Sequence, residues 1–290
     1  MASAGMSQLR QASRIPSRIL KRTEYENLFV KSICSISDDE VMFIDQTNNY
    51  LRSLSLTRWQ PLPSYQPNAN YFYRAQCLTF DTRTDTLLVV ANGYNDANCC
   101  LMSLFRGENK WDEVNCLPTE IANCTILEIG LCGSRVLLPN SRHRLHAIDV
   151  NAQHFLHTAG TIAHEFDFIS FACTLIGADA FVAFIEEVPA SVSLYRLVEL
   201  RLEKLDSFDL IFRPQSLLFR GDLLLATCSN EDNNKEDVIV SLRATAEGFT
   251  RGRKLLDSDA AVDVDAWCLV ADRLVLWDYN SKDLLVYALE

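Results

Sequence analysis

Apolar residues in this chain come in short runs without helical spacing. Val41-Met-Phe-Ile leads to Asp45, then to the polar stretch Gln-Thr-Asn-Asn, and a second apolar run starts at Leu51. The same order returns near the end of the chain, where Leu274-Val-Leu-Trp leads to Asp278 and a polar stretch before Leu284. A third copy has Pro139 at the Asp position and Leu145 at the Leu position. Short runs rich in β-branched and aromatic residues, bounded by Asn, Asp, Gly and Ser, read as strands joined by turns. Each copy therefore predicts a β-hairpin, and a hairpin at a fixed period predicts a repeat architecture.

From Asp45 to Pro139 is 94 residues, or two steps of 47, and from Pro139 to Asp278 is 139, or three steps of a little over 46. Further copies are expected near 92, 185 and 232. Apolar pairs of the right kind occur there: 87–92 with 99–105, 181–185 with 192–198, and 223–228 with 238–242. Each of the six hairpins has an apolar run before it, at 32–37, 75–80, 126–131, 169–173, 215–219 and 266–270. Runs that fit a fourth strand follow at 59–62, 111–116, 154–158 and 249–254. Four strands per unit of roughly 45 residues is the blade of a β-propeller. The expected fold is all-β: a six-bladed β-propeller of four-stranded antiparallel blades.

The sixth repeat reaches Glu290 with three strands, so its fourth must come from elsewhere. The sequence 17–22 precedes the first repeat much as 251–256 precedes the sixth. We expect an N-terminal strand there to pair into the last blade and close the ring, which removes a sheet edge open to mispairing. The expected organisation is a disordered lead over 1–13 and one propeller domain over 14–290.

Composition narrows the classes of function. Net charge is −11, and residues 1–22 carry five basic residues and no acid, so the remainder stands near −16. An acidic body repels phosphate backbones, so nucleic-acid partners are disfavoured and basic protein partners favoured. No run is long enough to span a membrane, and no membrane partner is expected. Ten cysteines lie mostly inside apolar runs, as small buried residues do, and no C-x-x-C spacing occurs. With no secretory signal visible, a reducing cytoplasmic location is expected. The basic, Ser-containing N-terminus leaves a mitochondrial alternative.

Few constellations suggest chemistry. All five His lie between 143 and 164. A turn centred at 151–152 would set His146 directly across from His157, and two imidazoles on one face are the weak metal candidates of this chain. Acidic clusters at 38–40, 186–187, 231–237 and 257–265 read first as turn residues. An alternative makes them the channel-mouth carboxylates of a metal-dependent hydrolase, as in lactonase-like propellers. No nucleophile elbow, zincin, P-loop or dinucleotide motif is present, and no cofactor is expected.

The most suggestive stretch is 61–74, which reads as a long irregular connection between the first two blades. It carries Tyr65, Tyr71, Phe72, Tyr73 and Arg74, the residue types that dominate binding hot spots. The connection around 229–237 adds Glu231, Asp232, Glu236 and Asp237 on the same face. Together they suit a basic, partly apolar peptide.

The repeat itself, seen in Ile44-Asp45…Asn49-Tyr-Leu51-Arg-Ser-Leu54 and Trp277-Asp278…Lys282-Asp-Leu284-Leu-Val-Tyr287, resembles that of six-bladed NHL and YWTD propellers. The Tyr-Trp-Thr-Asp tetrad is absent, as are the Gly-Gly pair of kelch repeats and the combined Gly-His…Trp-Asp signature of WD40 repeats. The resemblance implies an interaction platform: a non-enzymatic scaffold for a protein or peptide, and a subunit of a larger complex.

Overall fold

Runs with apolar residues at every position, such as Leu87-Leu-Val-Val, need partners on both faces, and stacked sheets supply them. A computed structural model describes residues 10–15, 28–47, 50–58, 60–65, 73–93, 99–105, 110–114, 128–139, 144–150, 156–164, 166–187, 191–210, 213–229, 237–256, 264–280 and 282–288. Among them, 24 strands form six four-stranded antiparallel sheets. The first strand in the chain, β1 (Arg10–Ile15), belongs to the last sheet.

The chain divides into two compact units. One contains three sheets from the first half of the chain, together with residues 197–202. These sheets are β2 (Val30–Ser35), β3 (Glu40–Asp45), β4 (Tyr50–Ser55) and β5 (Gln60–Tyr65); β6 (Tyr73–Asp81), β7 (Thr86–Gly93), β8 (Cys99–Phe105) and β9 (Lys110–Val114); and β10 (Gly130–Cys132), β11 (Arg135–Pro139), β12 (Leu145–Val150) and β13 (Leu156–Ile162). We call this the N-half unit.

The C-half unit holds the other three. They are β14 (Phe168–Ile176), β15 (Asp179–Glu186), β16 (Ser191–Val198) and β17 (Arg201–Phe208); β18 (Arg213–Arg220), β19 (Leu223–Ser229), β20 (Asp237–Thr245) and β21 (Gly248–Leu256); and β22 (Val264–Val270), β23 (Arg273–Asp278) and β24 (Asp283–Ala288) with β1 alongside β24. Strand order within each sheet follows the chain, with β1 as the single crossover. The second and third strand of every sheet form the hairpins that the repeat predicts.

Alternation along the middle strands builds the core of each unit. On β7, Leu87 and Val89 join Met42, Ile44 and Leu51 of the preceding sheet, while Leu88 and Val90 join Val136, Leu138 and Ile148 of the next. On β19, Leu224, Ala226 and Cys228 pack with Phe181, Ala183 and Ile185, while Leu225 packs with Leu274, Leu276 and Tyr287. Side chains on a strand point alternately to its two faces, so a continuous apolar run glues its sheet to both neighbours. Each fully buried Leu, Val or Phe contributes about 1.5–3 kcal/mol.

The repeated Asp is a turn residue. The buried carboxylate of Asp45 accepts from the Thr47 amide at 3.1 Å, and that of Asp278 accepts from the Asn280 amide at 3.1 Å. A short acidic side chain that takes up the amide two residues on stabilises the reversal. Asp45 also receives the Arg52 guanidinium at 2.8 Å, with both groups buried.

The N-terminal strand lies elsewhere than expected. Arg10 pairs with Ala288 and Ile15 with Leu284. The strand thus starts inside the segment read as a lead, and the sequence 17–22 falls outside the described residues. Both 17–22 and Arg10-Gln-Ala-Ser-Arg-Ile mix basic and apolar residues, and the strand uses the stretch that begins seven residues earlier.

Candidate functional site

One irregularity recurs at the same register in five of the six sheets. In each, the first strand pairs with the last residue before the hairpin turn, or with one up to two positions from it, and then holds one extra residue. Phe168 pairs with Glu186 and Ser170 with Ile185, leaving Ile169 extra. Pro214 pairs with Cys228 and Ser216 with Thr227, leaving Gln215. Val264 pairs with Asp278 and Ala266 with Trp277, leaving Asp265. Ala75 pairs with Ala91 and Cys77 with Val90, leaving Gln76. Between Val30–Asp45 and Ile33–Phe43 the pair Lys31-Ser32 faces Ile44 alone. A bulge disrupts the ladder and re-aims a side chain, and bulges concentrate beside binding and active sites.

The sequence carries a signal for it that periodicity alone passes over. The five stretches read Val30-Lys-Ser-Ile, Ala75-Gln-Cys-Leu, Phe168-Ile-Ser-Phe, Pro214-Gln-Ser-Leu and Val264-Asp-Ala-Trp. Each is an apolar residue, a longer and mostly polar one, then Ser, Cys or Ala, then an apolar residue. A small side chain after the bulge leaves room for the locally kinked backbone.

The two units use the position differently. In the N-half unit, the Lys31 ammonium donates to the Gln76 side-chain oxygen, so adjacent bulges bond to each other, and Gln76 is buried. Ser32 Oγ accepts from the Leu78 amide at 3.3 Å. Burial pushes the neighbouring Cys77 thiol well above its ordinary pKa; Glu128 adds to the effect and Lys31 opposes it. Burial and a raised pKa both favour the protonated thiol, the less reactive form. In the C-half unit Ile169 is 44% exposed although Phe168 and Ser170 on either side are buried, and Gln215 and Asp265 are exposed. Near these bulges, Asp167, Glu187 and Arg213 are also exposed, and the Glu187 amide donates to the Asp167 carbonyl at 3.3 Å.

Glu186, at the hairpin end of β15, is a buried carboxylate held internally. Tyr195 Oη donates to its Oε1 at 2.6 Å, and Lys204 Nζ donates to the same oxygen at 3.0 Å. Burial alone would raise its pKa, but the hydrogen bonds from Tyr195, Ser193 and Lys204 outweigh it and hold the carboxyl below its ordinary value. The Tyr195 hydroxyl is pushed up, first by burial and then by its bond to Glu186. The Tyr195 ring packs edge-on against Phe184 at 5.6 Å, and Phe184 lies 4.9 Å from Phe168. Its oxygen Oε1 is thus engaged by two donors of the same sheet, which makes it an interior support.

The residues proposed from sequence separate into two groups. Tyr65 closes β5 opposite Leu51, while Tyr73 and Arg74 open β6 opposite Gly93 and Asn92. Reading 61–74 as one irregular connection is therefore corrected: 61–65 and 73–74 are strand, and 66–72 lie outside the described residues. Arg74 stands two residues before the Gln76 bulge, so the aromatic connection and the bulge share one end of β6. Asp237 opens β20 opposite Ser229. Tyr71, Phe72, Glu231, Asp232 and Glu236 lie outside the described residues.

The histidine pair is also corrected. His146 pairs with Thr161, and His157 with Asp149. A bulge at Ala147/Ile148 and a turn shifted from 151–152 set the two His three positions apart on the ladder. His146 is 2% exposed, and its Nδ1 lies 3.1 Å from Thr161 Oγ1. Among the described residues no group of three or more His, Cys, Asp or Glu is placed to hold a metal ion.

No family model matches the sequence, and no curated protein matches it. Solved structures do match the fold. A chain of the mitotic checkpoint complex superimposes with a TM-score of 0.61 at 9% identity, over 100% of this chain and 98% of that one. The WD40 domain of Toxoplasma gondii coronin gives 0.55 at 9% identity, over 89% of this chain and 68% of that one. The fold is of the β-propeller class. At such identity the likeness speaks for the fold alone.

Proposed function

We propose that this chain is a non-enzymatic binding scaffold: a six-bladed propeller of the NHL/YWTD kind, closed by β1, that engages a protein or peptide and serves as a subunit of a larger assembly. The observation that carries the reading is the bulge repeated at one register. It is a device for presenting side chains. Such bulges occur on first strands of both units. The structural neighbours support the reading, since one is a chain of a multi-protein complex. The binding residues we assign are Tyr65, Tyr71, Phe72, Tyr73 and Arg74 in the N-half unit and Glu231, Asp232, Glu236 and Asp237 in the C-half unit. The acidic net charge of −11 favours a basic partner. A reducing cytoplasmic location agrees with the free cysteines, of which Cys77, Cys99, Cys100, Cys132, Cys228 and Cys268 are buried.

The test is affinity capture with tagged full-length protein, comparing wild type with the combined Tyr71→Ala, Phe72→Ala, Tyr73→Ala variant. Loss of specific partners, with the melting temperature retained, is the expected result. An unchanged partner set removes this surface from contention.

A further inference from the structure

Resting on that scaffold reading, we propose that Asp167, Ile169 and Glu187 form a contact site for an extended segment of a partner protein. The segment carries a Lys or Arg two positions from a Leu, Ile or Val. The three residues meet at one end of the β14–β15 hairpin. Phe168 pairs with Glu186, and one step beyond them the Glu187 amide donates to the Asp167 carbonyl at 3.3 Å. Asp167 and Glu187 therefore stand opposite each other, about 5.5 Å apart at Cα. Asp167, Ile169 and Glu187 are exposed, whereas Phe168 and Glu186 are buried. Asp167 and Ile169 thus share one side of the chain, two residues and about 7 Å apart.

The sheet gains nothing from this arrangement. Like charges directly opposite each other on a ladder are destabilising. Among the described residues neither carboxylate, of Asp167 or of Glu187, has a hydrogen-bond or ion-pair partner. Residues 166–187 hold four acids and no Lys, Arg or His. Lys204 of the same sheet is engaged by Glu186 at 3.0 Å and lies over the Tyr195 ring. The bulge takes Ile169 out of the ladder. Its side chain is 44% exposed between Phe168 and Ser170, which are 5% and 2% exposed. At the matching bulges of the N-half unit Lys31 and Gln76 bond to each other instead.

These features fix the occupant. An exposed aliphatic side chain on a rigid strand is the setting of a binding anchor. Two opposed carboxylates beside it attract a cationic group and repel an anionic one. In an extended segment, side chains two positions apart also project to one side, about 7 Å from each other. With its aliphatic residue on Ile169, such a segment brings its Lys or Arg to Asp167 and Glu187.

The experiment measures fluorescence anisotropy of a labelled (Lys-Ser-Leu-Ser)2 peptide on full-length protein at low salt, with (Glu-Ser-Leu-Ser)2 and (Lys-Ser-Ser-Ser)2 as counterparts. Wild type is expected to bind the first at least about tenfold more tightly than the glutamate peptide, and about fivefold more tightly than the leucine-free one. Ile169→Asn should abolish the preference for leucine and keep that for lysine. Asp167→Asn with Glu187→Gln should abolish the preference for lysine. Because that pair of changes also removes a repulsion, its melting temperature should equal or exceed that of wild type; a lower one marks the carboxylates as structural and overturns the assignment. Two controls match the chemistry elsewhere. Leu175→Asn removes an equally exposed aliphatic from the other end of β14, and Glu247→Gln an exposed acid from the β20–β21 turn. Both should stay within about twofold of wild type. Equal binding of the lysine and glutamate peptides, or equal losses in the controls, also overturns it. If that happens while partner capture still depends on Tyr71, Phe72 and Tyr73, only this site is lost; if both fail, so does the scaffold reading.

Discussion

Gly248 is expected to be among the least replaceable residues of the C-half unit. It opens β21 with φ +138°, a conformation that L side chains rarely adopt. A Cβ there would stand 2.7 Å from Asp206 Oδ2, 2.9 Å from its Cβ and 3.0 Å from its Cγ. Contact with Asp206 Cβ matters most, because no side-chain rotation moves that atom away. Either β17 or the β20–β21 hairpin has to shift. The shift also endangers the bond from the Phe249 amide to Asp206 Oδ2, now 2.8 Å.

Backbone strain of this kind costs on the order of 1–3 kcal/mol, and a lost hydrogen bond to a charged acceptor about 1.5–3 kcal/mol. The two overlap, since relaxing one relieves part of the other, so Gly248→Ala should cost about 3 kcal/mol in all. A chain of 290 residues unfolds with an entropy of about 0.6 kcal/mol/K at typical per-residue values, so Tm should fall by about 5 °C. Differential scanning calorimetry reads it. Asp206→Gly removes every atom in the clash. The double variant should therefore lose at least about 1 kcal/mol less than the sum of the single losses, a coupling typical of residues in contact. A Tm within 1 °C of wild type for Gly248→Ala, or strict additivity in the cycle, would falsify the steric reasoning.

Other consequences are open to measurement. Arg52→Met strands the buried Asp45 carboxylate and should cost about 3 kcal/mol in urea unfolding, while Asp45→Asn with Arg52→Met should recover part of it. Glu186 has a folded pKa below its ordinary 4.5, so its contribution is complete above that value and disappears as pH falls through the folded one. The stability gap between wild type and Glu186→Gln should accordingly be widest at pH 7 and close on acidification; a gap constant with pH refutes the assigned hydrogen bonds. Deleting residues 1–15 exposes the β24 edge that β1 covers, and should lower Tm and promote aggregation in light scattering relative to deleting 1–9.

The parts of the fold visible in the sequence are those where one side chain decides one local outcome. Asp45 and Asp278 mark hairpin turns because a carboxylate caps the amide two residues on, and that chemistry needs no tertiary context. Uninterrupted runs such as Leu87-Leu-Val-Val mark middle strands because both faces are covered. Register is less legible. His146 and His157 fail to meet because one bulge at Ala147/Ile148 and a displaced turn move β13 along β12. A cross-strand pair is a statement about register, and a single inserted residue changes it.

The bulges show why the candidate site was harder to read than the fold. A repeat search weights positions that are alike, and the extra residue is Lys, Gln, Ile, Gln and Asp in the five sheets. What repeats is the small residue after it: Ser32, Cys77, Ser170, Ser216 and Ala266. The residue after the bulge stays small, and its neighbour varies. A position whose geometry is fixed and whose chemistry is free is one where a repeat fold can acquire a binding specificity without a cost in folding. The variation that hides the site from a periodicity search is therefore itself the reason to look there, and it directs mutagenesis to Ile169 before the buried acids of the hairpin turns.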